Sequence, residues 1–260
     1  MTRDYSTISP SAKGLVMVRS QSGLPFAREA AVRMYGEAEV RKVHDDITAD
    51  QAAYLKMRHF EIRSRSIDRA LAARGATLVL ELAAGLSFRG LAMAERAGIC
   101  YADTDLPDMI ATKRELAVSL HPAPLAGDYR LCPLDAMDGP AVRALVATLP
   151  PGPLHVVNEG LLVYLDGDEK TRLFATILEL LKERGGAWIT ADIYIPSAPS
   201  IARDAATREF LDRHHVDANK FASYADAEAF VAARGFAIAA REPSSRAPDH
   251  PRETWTLVAA

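Results

Sequence analysis

From Thr77 onward the chain alternates two hydrophobic rhythms. Short apolar runs recur at TLVLEL, ICYADTD, YRLCPL, PLHVVN and GAWITADIYI. Stretches with helical spacing separate them: RGLAMAERAG, closed by Gly98; LPDMIATKRELAVSL; GPAVRALVATL; and GDEKTRLFATILELLKERGG, closed by Gly185 and Gly186. Short apolar runs bounded by turn residues predict buried strands, and apolar residues at three- and four-residue spacing predict helices. Their alternation predicts βαβ units, with right-handed crossovers and a parallel sheet. The last two runs, FAIAAR and TWTLVA, break the rhythm. Between them lies EPSSRAPDHPRE, with Pro243, Pro248 and Pro251. No crossover helix can form through those prolines, so the last two strands should pair antiparallel.

The first ~75 residues carry helical spacing and no strand pattern. PFAREAAVRMYG and TADQAAYLKMRHFEIRSRSIDRALAARG are the helical stretches, with Thr48 placed as an N-cap and Gln51 at the third helical position. The expected organisation is a helical lid over residues 1–75 and an α/β domain over 76–260, with a helical insert at 200–234. Lid and insert would both cover the carboxyl edge of the sheet, where ligands bind in open α/β folds. A Rossmann-like, seven-stranded, mostly parallel sheet ending in an antiparallel hairpin is the architecture of class I methyltransferases, an analogy of fold alone.

Composition narrows the partners. The 260 residues are 49% hydrophobic and 25% charged, with a net charge of −3. Nothing in that balance points to nucleic acid or an acidic membrane surface. Cys100 and Cys132 each sit in an apolar run and are expected as buried thiols in a reducing compartment. GLVMV, after Arg3 and Asp4, is shorter than a secretory core, and no apolar run reaches the ~18 residues of a membrane span. A soluble cytoplasmic protein is expected.

The candidate chemistry gathers at the ends of the early strands. A dinucleotide turn needs three glycines, but Ala83, Ala84, Gly85, Leu86, Ser87 and Phe88 retain only Gly85. Glu81 ends the first strand, and a carboxylate there repels a diphosphate. It suits a cationic ligand such as S-adenosyl-L-methionine (SAM), which carries an ammonium and a sulfonium and no phosphate. The alternative is an ordinary βα turn with a packing glycine. Asp105 ends the second strand 20 residues past Gly85, ahead of Pro107, placed for two ribose hydroxyls. NAD folds use the same acid, so it marks an adenosyl group rather than a methyl donor. Asp135 follows the third strand, either against an adenine amino group or as a turn cap. Asn158 and Glu159 leave the fourth strand near the sheet centre, where transferred groups lie.

VLELAAGLSFRG, YADTDLPDMIATK and VVNEGLLVYL, taken in that order, resemble the leucine carboxyl methyltransferase-like family of class I SAM-dependent methyltransferases. That family includes protein carboxyl methyltransferases and bacterial polyketide O-methyltransferases of the tetracenomycin type. The likeness covers nearly the whole chain. It implies that Glu81, Ala83 and Gly85 hold the methionine part of SAM, and that Asp105 takes the ribose with Leu106 against the adenine. Asp135 and Ala136 would border the adenine, and Asn158 and Glu159 would lie beside the ammonium and the methyl. Lys13 and Arg63, with Arg65 as its rival, match the basic residues that meet the SAM carboxylate. The family turn carries a glycine where Ala83 stands and an acid where Ser87 stands. The alanine costs little if its φ is negative.

Methyl transfer from SAM, which leaves S-adenosyl-L-homocysteine, is an in-line displacement that needs alignment above all. A phenol or alcohol acceptor also benefits from a base, typically worth ~10²–10⁴ in rate. His214, His215 and Tyr164 are the candidates, with Tyr224, His44 and His59 behind them. On a helix the two adjacent histidines point about 100° apart, so they cannot both face one acceptor. No Cys/His/Asp cluster has metal-ligand spacing, so no metal is expected. The expected activity is O-methylation of a small molecule of secondary metabolism: a polyketide-like phenol, enol or carboxylate. The alternatives are a protein C-terminal carboxyl methyltransferase, a SAM-binding enzyme of non-methylating chemistry, and a dehydrogenase or non-enzymatic binding module. Neither nucleic acid nor membrane is an expected partner. The sequence leaves open a homodimer and does not name the acceptor.

Overall fold

A computed structural model describes residues 9–196, 209, 211–244 and 251–260. Four helices open the chain: α1 (Ser9–Arg19), α2 (Ala27–Tyr35), α3 (Glu37–Ala49) and α4 (Gln51–Ala73). The alternating region follows as β1 (Leu78–Leu82), α5 (Arg89–Met93), β2 (Cys100–Asp105), α6 (Pro107–Leu120), β3 (Asp128–Pro133), α7 (Gly139–Ala147), β4 (Leu154–Asn158), α8 (Gly167–Arg184) and β5 (Gly186–Tyr194). Then come α9 (Tyr224–Ala232), β6 (Phe236–Pro243) and β7 (Arg252–Ala259).

The strands form one sheet in the order β3-β2-β1-β4-β5-β7-β6. The first five strands pair parallel, while β7 runs antiparallel to both β5 and β6. This is the sheet the apolar runs predict, including the proline-broken hairpin. The order reverses between β1 and β4, which opens a crevice at their carboxyl ends.

Helices cover both faces, which is why β1 and β4 are buried along their whole length. On one face Val142, Val146, Phe174, Ile177, Leu181 and Val231 of α7, α8 and α9 pack on Leu80, Leu154, Val156 and Trp188. On the other, Ile67 and Leu71 of α4 pack on Val79, Tyr101, Val157 and Ile189. The carboxyl half of α4 is therefore part of the sheet's covering layer as well as an N-terminal element. Val16, Ala30, Ala31 and Val40 bring α1, α2 and α3 against Phe88, Leu91 and Met109.

Two local expectations change. Thr48 caps nothing: it lies in the last turn of α3, where its hydroxyl donates to the His44 carbonyl at 2.9 Å and the Asp45 carbonyl at 3.0 Å. The chain breaks instead at Asp50, which is extended and whose carbonyl accepts the Tyr54 amide. An aspartate at that junction favours a helix start over continuation. Both cysteines are free thiols, but only Cys100 is buried; Cys132 is half-buried, because β3 is an edge strand. Among the described residues no helix is long and apolar enough to cross a membrane.

Candidate functional site

The turn after β1 binds its own acid. Ala83 (φ +51°) and Gly85 (φ +52°) both take the left-handed conformation. The Ala84 amide donates to the Thr104 carbonyl at 2.9 Å, the Gly85 amide to Asp105 Oδ2 at 2.7 Å, and the Ser87 amide to the Ala84 carbonyl at 3.1 Å. A pyrophosphate site presents free amides; here those of Ala84, Gly85 and Ser87 are already taken. Burial raises the Asp105 pKa, and the amides of Gly85 and Leu106 oppose that shift. Leu106 N–H donates to Oδ1 at 2.7 Å, so each oxygen accepts one amide and keeps a further lone pair. This oriented carboxylate fits a ribose diol and not a phosphate. The positive φ at Ala83 corrects the expectation that alanine costs little there: a Cβ in that conformation is crowded, by roughly 1–2 kcal/mol.

Behind the turn lies a buried ionic cluster that joins β1 and β4 to the N-terminal helices. Glu159 Oε1 accepts from Arg19 Nη2 at 2.6 Å and from Arg63 Nε at 2.8 Å, and Oε2 accepts from Arg89 Nη2 at 2.9 Å. Arg89 also donates to Glu81 Oε1 at 2.7 Å, Asp68 Oδ1 at 2.6 Å and Ser64 Oγ at 2.8 Å. The Tyr101 hydroxyl donates to the other oxygen of Glu81. Burial pushes Glu159 up, but Arg19, Arg63 and Arg89 outweigh it and hold the carboxyl well below the usual range. Glu81 is raised by burial against the pull of Arg89. The structure thus sets Glu81 against Arg89 and Tyr101, where the sequence expectation placed it as a free counter-charge. Arg63 faces the cluster, whereas its rival Arg65 pairs with Glu61 at 2.8 Å and the Gly23 carbonyl at 2.9 Å, towards the surface.

Asn158 is equally engaged. It donates to Asp192 Oδ2 at 2.7 Å and accepts from Trp188 Nε1 at 2.7 Å. Asp192 also accepts the amides of Gly160, Leu161 and Leu162 at 2.7, 2.7 and 3.1 Å, which shapes the loop after β4. Asp135 Oδ1 accepts the Met137 amide at 2.8 Å, the turn-capping geometry, on the loop that also carries buried Ala136. Asp103 lies in the interior, 2.6 Å from Lys113 Nζ and 2.6 Å from the Tyr129 hydroxyl.

The catalytic candidates lie beyond β4. His214 is 5% exposed and packs edge-on against Tyr164, with ring centroids 6.2 Å apart. His215 is exposed, because the helical turn ends there and the residue adopts φ +53°. The two rings diverge for that reason, and only His214 and Tyr164 come together. His59 of α4 comes within 3.4 Å of the Tyr194 hydroxyl at the end of β5, while His44 bonds to Gln21 at 2.9 Å away from this edge. The Lys13 side chain lies outside the described residues.

Arg19, Arg89, Asp192 and Arg252 are site-edge residues that sequence reasoning passed over. Arg89 had a visible signal, an arginine opening the helix after the glycine turn. Asp192, inside the apolar run ITADIYI, carried one too, since a buried acid needs partners. Among the described residues no group of three His, Cys, Asp or Glu side chains is arranged to hold a metal ion.

The leucine carboxyl methyltransferase family model matches residues 11–178 of this chain. A "Putative S-adenosyl-L-methionine-dependent methyltransferase" of Mycobacterium sp. (strain JLS) is 28% identical over 84% of this chain and 76% of its own length. One of the same description from Mycobacterium avium (strain 104) is 31% identical over 55% of this chain; that match spans about half, 47%, of the longer relative. Among solved structures, magnesium protoporphyrin IX methyltransferase from Synechocystis PCC 6803 with bound S-adenosyl-L-homocysteine superposes with a TM-score of 0.55. It is 14% identical and covers 95% of this chain and 100% of its own, a likeness of fold.

Proposed function

The chain belongs to the leucine carboxyl methyltransferase family, and from that premise we propose that it is a SAM-dependent O-methyltransferase of a small, polyketide-like phenol, enol or carboxylate. SAM, when bound, supplies an electrophilic methyl on a sulfonium that departs as S-adenosyl-L-homocysteine. The chain's own residues do the rest. Asp105, held by the Gly85 and Leu106 amides, receives the ribose. Leu106, Asp135 and Ala136 border the adenine. Arg63, which shares the Glu159 carboxylate with Arg19, is the residue proposed to meet the amino-acid end.

One observation carries the choice of oxygen. His59, His214, Lys220 and Arg252 gather about Tyr164 and Tyr194 at the carboxyl ends of β4 and β5. The fixed positive charge of Arg252 favours an oxygen acid that develops or carries negative charge, and disfavours an ammonium acceptor. His214, buried against Tyr164, is the group proposed to take a phenolic or enolic proton.

The test is calorimetry with SAM and S-adenosyl-L-homocysteine, followed by mass spectrometry of phenol, enol and carboxylate acceptors incubated with protein and SAM. Gain of one methyl on oxygen supports the proposal. Binding of NAD in preference to SAM, or methylation of amines alone, overturns it.

A further inference from the structure

At the far end of the carboxyl edge Arg252 has no ion pair among the described residues. Arg252 opens β7, opposite Tyr194 of β5. It is 3% exposed, and its guanidinium carbon lies over the Tyr194 ring, 2.9 Å from the centroid. Its Nε and Nη1 are buried and make no hydrogen bond among the described residues. A guanidinium does not give up its proton inside a protein, so the charge stays. Leaving such a cation buried and unpaired is strongly unfavourable.

Its neighbours do not relieve it. Burial and the repulsion of Arg63 both work against its charge; Asp192, Glu159 and Tyr164 act in its favour more weakly. Those two acids are already committed. Asp192 accepts from Asn158 and three loop amides, and Glu159 accepts from Arg19, Arg63 and Arg89. Lys220 stands 5.9 Å from the same Tyr194 ring, its charge met by Asp217 at 2.5 Å. His59 reaches the Tyr194 hydroxyl from α4. This corner of the edge is built for an anion.

Position in the sheet says whose anion. The adenosyl determinants stand on β1 and β2, and β7 lies three strand steps from β1, about 14 Å away. We propose that Arg252, with Tyr194 beneath it, recognises a carboxylate on the methyl acceptor, an inference that rests on the methyltransferase assignment above. A planar guanidinium matches a carboxylate with two parallel hydrogen bonds. A carboxylate held so has its charge neutralised and is a poor nucleophile. It is therefore the anchor, and the oxygen that receives the methyl is a separate hydroxyl. The substrate class is a hydroxycarboxylic acid.

The test uses the full chain saturated with S-adenosyl-L-homocysteine and titrated calorimetrically with matched pairs: salicylate against salicylamide, and a hydroxynaphthoate against its amide. Each carboxylate should bind at least about tenfold tighter than its amide. Arg252→Gln should abolish the preference and Arg252→Lys should keep part of it, with the affinity for S-adenosyl-L-homocysteine unchanged in both. Arg252→Met should raise the thermal midpoint of the free protein, because it removes an unpaired buried charge; an arginine serving only the fold would give a fall. The inference is overturned by a preference that survives Arg252→Gln, by no preference in the wild-type protein while S-adenosyl-L-homocysteine binds, or by a lowered midpoint in Arg252→Met. Absence of S-adenosyl-L-homocysteine binding in the wild-type protein overturns the methyltransferase assignment instead, and the inference falls with it.

Discussion

The carboxylate of Asp105 accepts the backbone amide of Gly85 at 2.7 Å, across 20 residues of chain. That bond ties the end of β2 to the turn after β1 and fixes the orientation of the acid. A hydrogen bond to a charged group is worth about 1.5–3 kcal/mol, and the ribose would make two. Asp105→Ala should therefore weaken SAM binding by about tenfold or more, measured by calorimetry. An unchanged affinity would remove Asp105 from the site.

The ionic cluster should be costly to break. Removing the charge of Glu159 leaves Arg19, Arg63 and Arg89 buried against one another. Glu159→Gln should destabilise the fold by about 3–5 kcal/mol in urea denaturation. The pH dependence follows in sign. The folded pKa of Glu159 is held below its unfolded value of about 4.3, so its contribution is present in full above that pH and is lost as pH falls further. The glutamine variant should show a shallower loss of stability in acid than the wild-type protein.

Lysine 170 should give the opposite limb. Lys170 Nζ donates to the Leu165 and Asn219 carbonyls, each at 2.6 Å. A neutral amine can still make both bonds. Burial lowers its pKa to about 8, against the partial opposition of Asp166 and Glu169. Between about 8 and the unfolded value of about 10.4 the unfolded chain binds the proton and the fold does not, so stability rises with pH there. Urea midpoints across that window should climb in the wild-type protein and lose this climb in Lys170→Met.

Ala83 is a site where glycine should help. Its φ of +51° crowds the Cβ by more than a glycine's extra chain entropy costs. Ala83→Gly should stabilise the protein by up to about 1 kcal/mol in the same denaturation assay. A loss of stability would show that the Ala83 methyl contributes more by packing than it costs in strain.

The two histidines should separate kinetically. His214 is buried against Tyr164 while His215 faces solvent. With a phenolic acceptor, His214→Ala should lower kcat by about 10²-fold or more and leave SAM affinity unchanged. His215→Ala should change neither. Equal kinetics for His214→Ala and the wild-type protein would assign the proton to another group.

The sheet was legible because its signals are local. TLVLEL, PLHVVN and TWTLVA each carry their own apolar run, and Pro243 at the end of β6 with Pro248 and Pro251 after it forbids a crossover helix wherever the chain goes. The ends of the strands were legible for the same reason, so Asp105, Asn158 and Glu159 fall on the carboxyl edge as the pattern implied. Thr48 was misplaced as a cap because Asp50, two residues on, offers the same start chemistry. The alternation of apolar and polar positions cannot say which of two neighbouring residues the chain turns on.

What the sequence by itself determined is the architecture and the line of acids along one edge, since strand period and turn chemistry are properties of neighbouring residues. Only the tertiary structure decided which charges meet. Glu159 finds Arg19, Arg63 and Arg89 across separations of 140, 96 and 70 residues. Glu81 is claimed by Arg89, and Arg252 has no ion pair among the described residues. Pairing falls off within a few ångströms in space and does not depend on distance along the chain, so no spacing in the sequence records it.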